Sequence, residues 1–371
     1  MEGEERQIRK VLMTADTVGG VWTYALDLCG GLAKRGIQVC LATMGAPLSS
    51  QQHLEAAKIP NLDIRESSYK LEWMDDPWED VDRAGVWLLE LEKEFQPDLV
   101  HLNGYALSAL NWNVPVVVVA HSCVLSWWKA LKGTELPEEW LEYKHRLQQG
   151  FAHADAVVAI SHTYAKDLTA LYGDINNLSV IYNGRDAASF SEGEKKVQIF
   201  AMGRIWDEAK NLAALGEIVN PHQIPILIAG NNRHPDHPEP VEVPNVQLLG
   251  TLSQEQIKYH LAKSYIYVLP ARYEPFGLSV LEAALSGCLL LLSDIPIFKE
   301  LWQDTALYFN PEQPETLDAL ISQVIENPIK YKPLIERAKA RAEFFSLETM
   351  VNSYLDLYQS LVSTQARFII N

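Results

Sequence analysis

Apolar positions alternate with polar ones in two recurring patterns along the chain. Residues 8–14 (IRKVLMT) form an apolar run that predicts a buried strand, ADTVGG (15–20) a glycine loop, and VWTYALDLCGGLAKRG (21–36) has helical apolar spacing. Gly36 closes that helix, and IQVCLAT (37–43) reads as the next strand. A strand, helix and strand in that order predict a parallel pair. The alternation continues through DLVHL (98–102), VPVVVVA (114–120), AVVAI (156–160), a helix over 163–173 and LSVIY (178–182). These elements predict a Rossmann-like first half.

The polar stretch ASFSEGEKK (188–196) interrupts the pattern, and VQIFAMG (197–203) restarts it. IPILIAG (224–230), VQLLG (246–250), a helix over 253–263, YIYVL (265–269) and CLLLLS (288–293) follow, in a second doubly wound sheet expected to hold six parallel strands. Beyond residue 312 the spacing is helical, with FSLETMVNSYLDLYQSL (345–361) as the last clear amphipathic helix. The expected organisation is an N-terminal domain at 1–190, a C-terminal domain at 191–350, and a helix and tail at 351–371. Two open sheets are expected to place the carboxyl ends of their strands at a central cleft, where such folds bind ligands.

Composition narrows the function. A length of 371 residues fits two domains, and 48% hydrophobic with 21% charged residues excludes a disordered chain. The net charge of −17 opposes attraction to a phosphate backbone, so nucleic acid is excluded as a partner class. Cys29, Cys40, Cys123 and Cys288 form no C-x-x-C pair, which fits reduced thiols and excludes structural zinc. No apolar run approaches the roughly 18–20 residues of a membrane span, and the charged start lacks an apolar leader segment. A soluble, cytoplasmic protein is expected.

Polar residues cluster just after the strands. In GRIWDEAKNL (203–212), Arg204 follows a strand end and Lys210 stands near the next helical segment. An arginine fork and a lysine point charge suit a diphosphate and the charge that builds on a leaving phosphate. Ion pairs with Asp207 and Glu208 are the structural alternative. Gly19 and Gly20 do not complete G-x-G-x-x-G, which disfavours nicotinamide; they fit a phosphate-facing loop and a plain tight turn equally. His121 follows VPVVVVA, at the mouth of the first sheet.

Eight of the ten tryptophans precede residue 151, and flat aromatic faces suit sugar C–H faces, with core packing as the alternative. Asp80-Val81-Asp82 looks like D-x-D but reads as the acidic start of an amphipathic helix, and His234 and His237 sit in a proline-rich loop. Neither predicts a metal site.

ARYEPFGLSVLEAA (271–284) carries two acids, Glu274 and Glu282, around Pro275 and Gly277, so the pair straddles a loop and the following helix. Ser279 and Glu282 fit S-x-x-E, a capping box. Alternatively Glu282 accepts from a ribose diol, Glu274 meets the other end of the ligand, and the amides of Phe276, Gly277 and Leu278 face phosphate or sugar.

With TVGGVWTYALDLCGGLAKRG, AHS (120–122), VVAIS, VIYNGRD, GRIWDEAKN, LLGTLS and EPFGLSVLEA followed by SGCLLLLSD, the chain resembles retaining glycosyltransferases of family 4, the group 1 family with the GT-B fold. The resemblance covers nearly the whole chain. It implies a nucleotide-sugar donor, UDP- or GDP-linked, on the second domain and a sugar, glycolipid or small-molecule acceptor on the first. Candidate catalytic residues are His121, Arg204, Lys210 and Glu274. Arg204 and Lys210 would bind the diphosphate with Gly20 near it, and Glu274 and the 276–278 backbone the sugar. Glu282 would hold the ribose, Leu252 would lie beside the base, and His121 near the sugar's C6 region.

The resemblance also implies retention by front-face substitution, in which the leaving phosphate helps deprotonate the acceptor, with no metal or other cofactor. The last helix would cross back to the first domain. Peripheral membrane contact is not indicated, since the chain lacks the pronounced basic helix of lipid-acceptor members. A sugar-nucleotide epimerase and a non-catalytic sugar-nucleotide-binding protein are the alternative functions.

Overall fold

The structure is a computed structural model that describes residues 7–220, 222–234 and 239–370, with side chains described up to residue 364. The chain divides into two compact units. Among the described residues, unit 1 contains 7–129, 134–184 and 347–370, and unit 2 contains 130–133 and those from 185 to 346.

Unit 1 is built on a seven-stranded sheet: β1 Lys10–Asp16, β2 Gln38–Met44, β3 Leu62–Glu66, β4 Leu99–Leu102, β5 Val116–Ala120, β6 Ala156–Ala159 and β7 Leu178–Val180. The strand order is β3-β2-β1-β4-β5-β6-β7 and every pairing is parallel. Val116–Ala120 is buried along its whole length, as a strand covered on both faces must be, which is why it reads as a continuous apolar run. β3 was not anticipated. Its sequence LDIRE is half-exposed at the sheet edge, so it carries little of the apolar signal that marks the central strands.

The last helix, Leu347–Ile370, returns to unit 1 and packs on the first helix, Gly20–Ala33, as expected of a chain that crosses back. A side chain at Gly31 would place its Cβ 2.2 Å from Val351 Cγ2, so the two helices meet at a glycine. Tyr354 and Tyr358 from the last helix are fully buried.

Unit 2 carries six parallel strands, the number expected, of which the first five fall on the predicted segments: β8 Lys196–Met202, β9 Ile226–Ala229, β10 Gln247–Gly250, β11 Ser264–Leu269, β12 Leu289–Ser293 and β13 Leu307–Phe309. Their order is β10-β9-β8-β11-β12-β13. β13 is a three-residue edge strand with only Phe309 buried, too short to announce itself in the sequence.

In each sheet the order reverses direction once, between β1 and β4 and between β8 and β11. Such switch points leave a crevice beyond the carboxyl ends of the strands. Among the described residues no helix is long and apolar enough to cross a membrane.

Candidate functional site

In unit 2 the segment after β8 and the loop after β11 are stitched together at the switch point. The backbone N–H of Arg272 donates to the Ala209 carbonyl at 2.8 Å, and Asn211 Nδ2 donates to the Pro270 carbonyl at 3.0 Å. These bonds bring Lys210 to Glu274, with Nζ and Oε2 2.5 Å apart. Both side chains are largely buried, at 19% and 10% exposure, so the pair is shielded from the screening that weakens surface ion pairs.

Arg204 bonds Asp207 at 2.7 Å, and the other oxygen of that carboxylate accepts the Ala209 N–H at 2.9 Å. Asp207 therefore holds both the guanidinium and the turn that carries Lys210. The alternative reading of a local ion pair is met for Arg204 and Asp207, whereas Lys210 reaches Glu274. Arg204 also lies over the Trp206 ring, 5.1 Å from its centroid, and keeps a third of its surface exposed.

Glycines make the strand ends meet. At Gly230, which follows β9, a Cβ would stand 1.8 Å from the Gly203 carbonyl oxygen, and φ is 143°. Only glycine allows the two loops to approach that closely. Gly277, at φ 88°, turns the chain from the acidic loop into the helix Leu278–Leu285. That helix starts at Leu278 with no side-chain cap, so Ser279 lies inside it and the capping box does not form. Phe276 is buried with its ring edge-on to Phe345, at 5.7 Å.

Glu282 instead faces Arg185, with Nη2 and Oε1 3.0 Å apart and both side chains under a tenth exposed. Each acid of the E-x7-E pattern thus has its own cation. Arg185 Nη2 also reaches Gln254 Oε1 at 3.3 Å, next to the half-buried Leu252. Its backbone N–H donates to the Phe345 carbonyl, fixing it where the chain enters unit 2. Sequence reasoning did not single out Arg185. The available signal was a charged residue directly after VIYNG, in the segment that leads out of the last strand of the first half.

In unit 1, Gly19 (φ 108°) precedes the helix that begins at Gly20, and a Cβ on Gly20 would meet nothing within 4 Å. The loop before them is pinned by Asp16, whose carboxylate accepts the Val18 N–H at 2.6 Å. His121, half-buried after β5, bonds Asn103 Oδ1 through Nε2 at 2.8 Å and meets the Tyr24 ring edge-on at 4.6 Å. Burial, with His101 nearby, pushes its pKa down to about 3. His121 is therefore a neutral imidazole at ordinary pH.

Two further expectations concern metals. Asp80 caps the Lys70 N–H and pairs with Arg83, and Asp82 pairs with Arg146 at 2.5 Å, so the D-x-D carboxylates are committed within the helix Trp78–Phe95 and to its neighbours. His234 lies edge-on to Trp206 at 4.5 Å, and His237 falls outside the described residues. Among the tryptophans, Trp22 and Trp302 are core residues, and Trp78 packs beneath Arg146.

Comparison with known proteins places these features in context. Residues 18–189 match the family model described as Glycosyltransferase Family 4, and 185–341 the model described as Glycosyl transferases group 1. The O-antigen chain mannosyltransferase RfbU of Salmonella typhimurium is 25% identical over 57% of this chain and 63% of its own length, so the match spans under two thirds of that protein. The structure of sucrose-phosphate synthase from Thermosynechococcus elongatus superposes with a TM-score of 0.76 at 18% identity, over 96% of this chain and all of that one. Anabaena HepE in complex with UDP-glucose superposes with a TM-score of 0.74, also at 18% identity, over 95% of this chain and all of that one.

Proposed function

Because this chain belongs to the family 4, group 1 glycosyltransferases of GT-B fold, we propose that it moves a sugar from a nucleotide-sugar donor to an acceptor hydroxyl with retention of anomeric configuration. The observation that carries the reading is the meeting of Lys210 and Glu274, beside Arg204, at the switch point of the unit 2 sheet. A cation pair for phosphate and a carboxylate for sugar hydroxyls are adjacent there. A neighbour in fold holds UDP-glucose, which supports a nucleotide-sugar donor, UDP- or GDP-linked.

Arg204 and Lys210 take the diphosphate and oppose the charge that builds on it as the glycosidic bond breaks. Lys210 exchanges part of its bond to Glu274 for phosphate oxygens, which releases a Glu274 oxygen to accept from donor-sugar hydroxyls. The Gly277 and Leu278 N–H groups lie at a helix start and take phosphate or sugar, joined by the Phe276 N–H when Glu274 Oε1, 3.4 Å from it, turns to the sugar. Glu282 accepts from the ribose, and Leu252 lies against the base. In unit 1, Gly19 and Gly20 let backbone approach a ligand closely, and His121 meets a sugar hydroxyl. The leaving phosphate takes the acceptor proton in a front-face substitution, so no enzymatic nucleophile and no metal is assigned a step. The acceptor is a sugar, glycolipid or small molecule bound to unit 1, and the setting is the cytoplasm.

Incubation with a panel of UDP-, GDP- and ADP-sugars tests the reading, with nucleotide release followed and the product anomer read by NMR. Release of nucleoside diphosphate with a retained anomer is expected. An epimerised sugar still carrying its nucleotide, or binding of the whole panel without turnover, overturns it.

A further inference from the structure

Behind His121 runs a chain of buried polar groups whose proton positions follow from their partners. Asn103 Nδ2 lies 2.7 Å from the Thr14 carbonyl oxygen, which can only accept, so the amide is locked with its nitrogen toward Thr14. A second bond, from the Asn103 N–H to Thr14 Oγ1 at 2.9 Å, fixes the backbone of the same residue. Asn103 Oδ1 is then an acceptor pointed at two imidazoles, 2.8 Å from His121 Nε2 and 3.2 Å from His101 Nε2. His121 Nε2 must carry a proton, and so does His101 Nε2, where the shorter contact is to the Asn103 oxygen, and the Tyr24 hydroxyl at 3.4 Å can accept from the same N–H.

His101 Nδ1 is left as an acceptor, and Tyr358 of the last helix donates to it at 2.6 Å. The remaining groups facing this pair are Tyr24, whose hydroxyl lies 3.4 Å from His101 Nε2, and the ring of Tyr354, neither of which brings a charge. Burial holds His101, like His121, neutral, with its pKa pushed down to about 3. No hydrogen bond from the described residues reaches His121 Nδ1.

We propose that Asn103 is a positioning residue that fixes His121 as its Nε2–H tautomer, so that Nδ1 stands as a hydrogen-bond acceptor for a hydroxyl of the bound sugar. The complementary ligand group is an O–H donor, not an anion, because an unprotonated nitrogen repels carboxylate and phosphate oxygens. His101 and Tyr358 stabilise the arrangement from behind, which ties the last helix to the ligand-facing histidine. The tautomer half stands on unit 1 alone; the ligand half rests on the reading of His121 as a sugar contact.

The test uses the full chain with 15N-labelled histidine, reading tautomers from long-range 1H–15N correlation spectra at pH 7. Wild-type His121 and His101 are expected to show the Nε2–H pattern. An Nδ1–H pattern or an imidazolium at His121 overturns the proposal without any variant. Tyr358→Phe removes the donor to His101 and is expected to mix the tautomers of His101 while His121 keeps its Nε2–H, since Thr14 still locks the amide.

Asn103→Leu is expected to release His121 into a tautomer mixture and to raise the donor KM about three- to tenfold with less change in kcat, the scale of one lost neutral hydrogen bond. An unchanged His121 tautomer in a folded Asn103→Leu protein overturns the positioning role. Saturation with UDP-glucose or GDP-mannose is expected to shift His121 Nδ1. Turnover of either sugar without that shift overturns the ligand half and leaves the functional reading intact. Absence of both binding and turnover across the nucleotide-sugar panel overturns the functional reading, while the ligand-free spectrum still decides the tautomer.

Discussion

Arg185 changes the meaning of Glu282. A carboxylate at 5% exposure is costly to bury alone, and the guanidinium at 3.0 Å supplies its counter-charge. Replacing Arg185 with Met removes that counter-charge, and a loss of about 3–5 kcal/mol from unit 2 stability is expected in urea titration. Arg185→Lys should recover part of it, because a lysine restores charge without the fork that also reaches Gln254. Equal stability of the Met variant and wild type would mean that the pair carries no such weight.

Arg204→Ala or Lys210→Ala is expected to cut turnover about 10²-fold, and wild-type turnover in both would remove the phosphate assignment. At this scale the sequence made Arg204, Lys210 and the two acids visible, because each sits in a short, recognisable string between a strand and the next helical segment or in that helix. Which cation meets which acid was not legible. Lys210–Glu274 and Arg185–Glu282 both join distant parts of the chain, and such pairings follow from the sheet order.

The elements plainest in the sequence are the central strands buried on both faces. β5 and the four leucines of β12 are apolar and fully buried, whereas β3 escaped notice because exposure at the sheet edge permits a mixed composition, and β13 because it is only three residues long. Helix starts divide the same way. Ser253 forms the capping box with Gln256 that its sequence spells, but Ser279-x-x-Glu282 spells one inside a helix already begun by Gly277. Contact between helices was less legible, and Gly31 shows why. Its role depends on Val351, which approaches only after the chain has returned from unit 2. Gly31→Val is expected to destabilise unit 1 by about 1–3 kcal/mol through overpacking, and adding Val351→Ala should recover much of the loss. Additive losses in the double variant would show that the two positions do not meet.

At the scale of the whole molecule, three shielded titratable groups with large shifts make stability follow pH, and all lie in unit 1. His101 and His121 are held near 3, below the 6.5 expected of an unfolded chain, so the unfolded state gains two protons first as pH falls through 6.5. Stability from these two groups is present above pH 6.5 and is lost on acidification. Glu72 acts with the opposite sign. Its Oε1 accepts the N–H groups of Tyr105 and Ala106 at 2.8 and 2.7 Å, yet burial outweighs those bonds and raises its pKa from 4.5 to about 7. Its contribution is complete below pH 4.5 and is lost as pH rises through 7. Each group gives a slope of ~1.4 kcal/mol per pH unit inside its window. The histidines outweigh Glu72 between pH 4.5 and 6.5 by two protons to one, which places the stability maximum of these three groups near pH 6.5–7. From pH 6.5 to 5 a loss of about 2 kcal/mol is expected from them. Glu72→Gln keeps an acceptor for both N–H groups without a charge to bury, so it should stabilise unit 1 at pH 8 by about 1–3 kcal/mol and steepen the acid-side loss. Urea titrations at pH 5, 6.5 and 8 read both effects, and a Glu72→Gln protein less stable than wild type at pH 8 would show that the carboxylate is ionised at no cost to the fold.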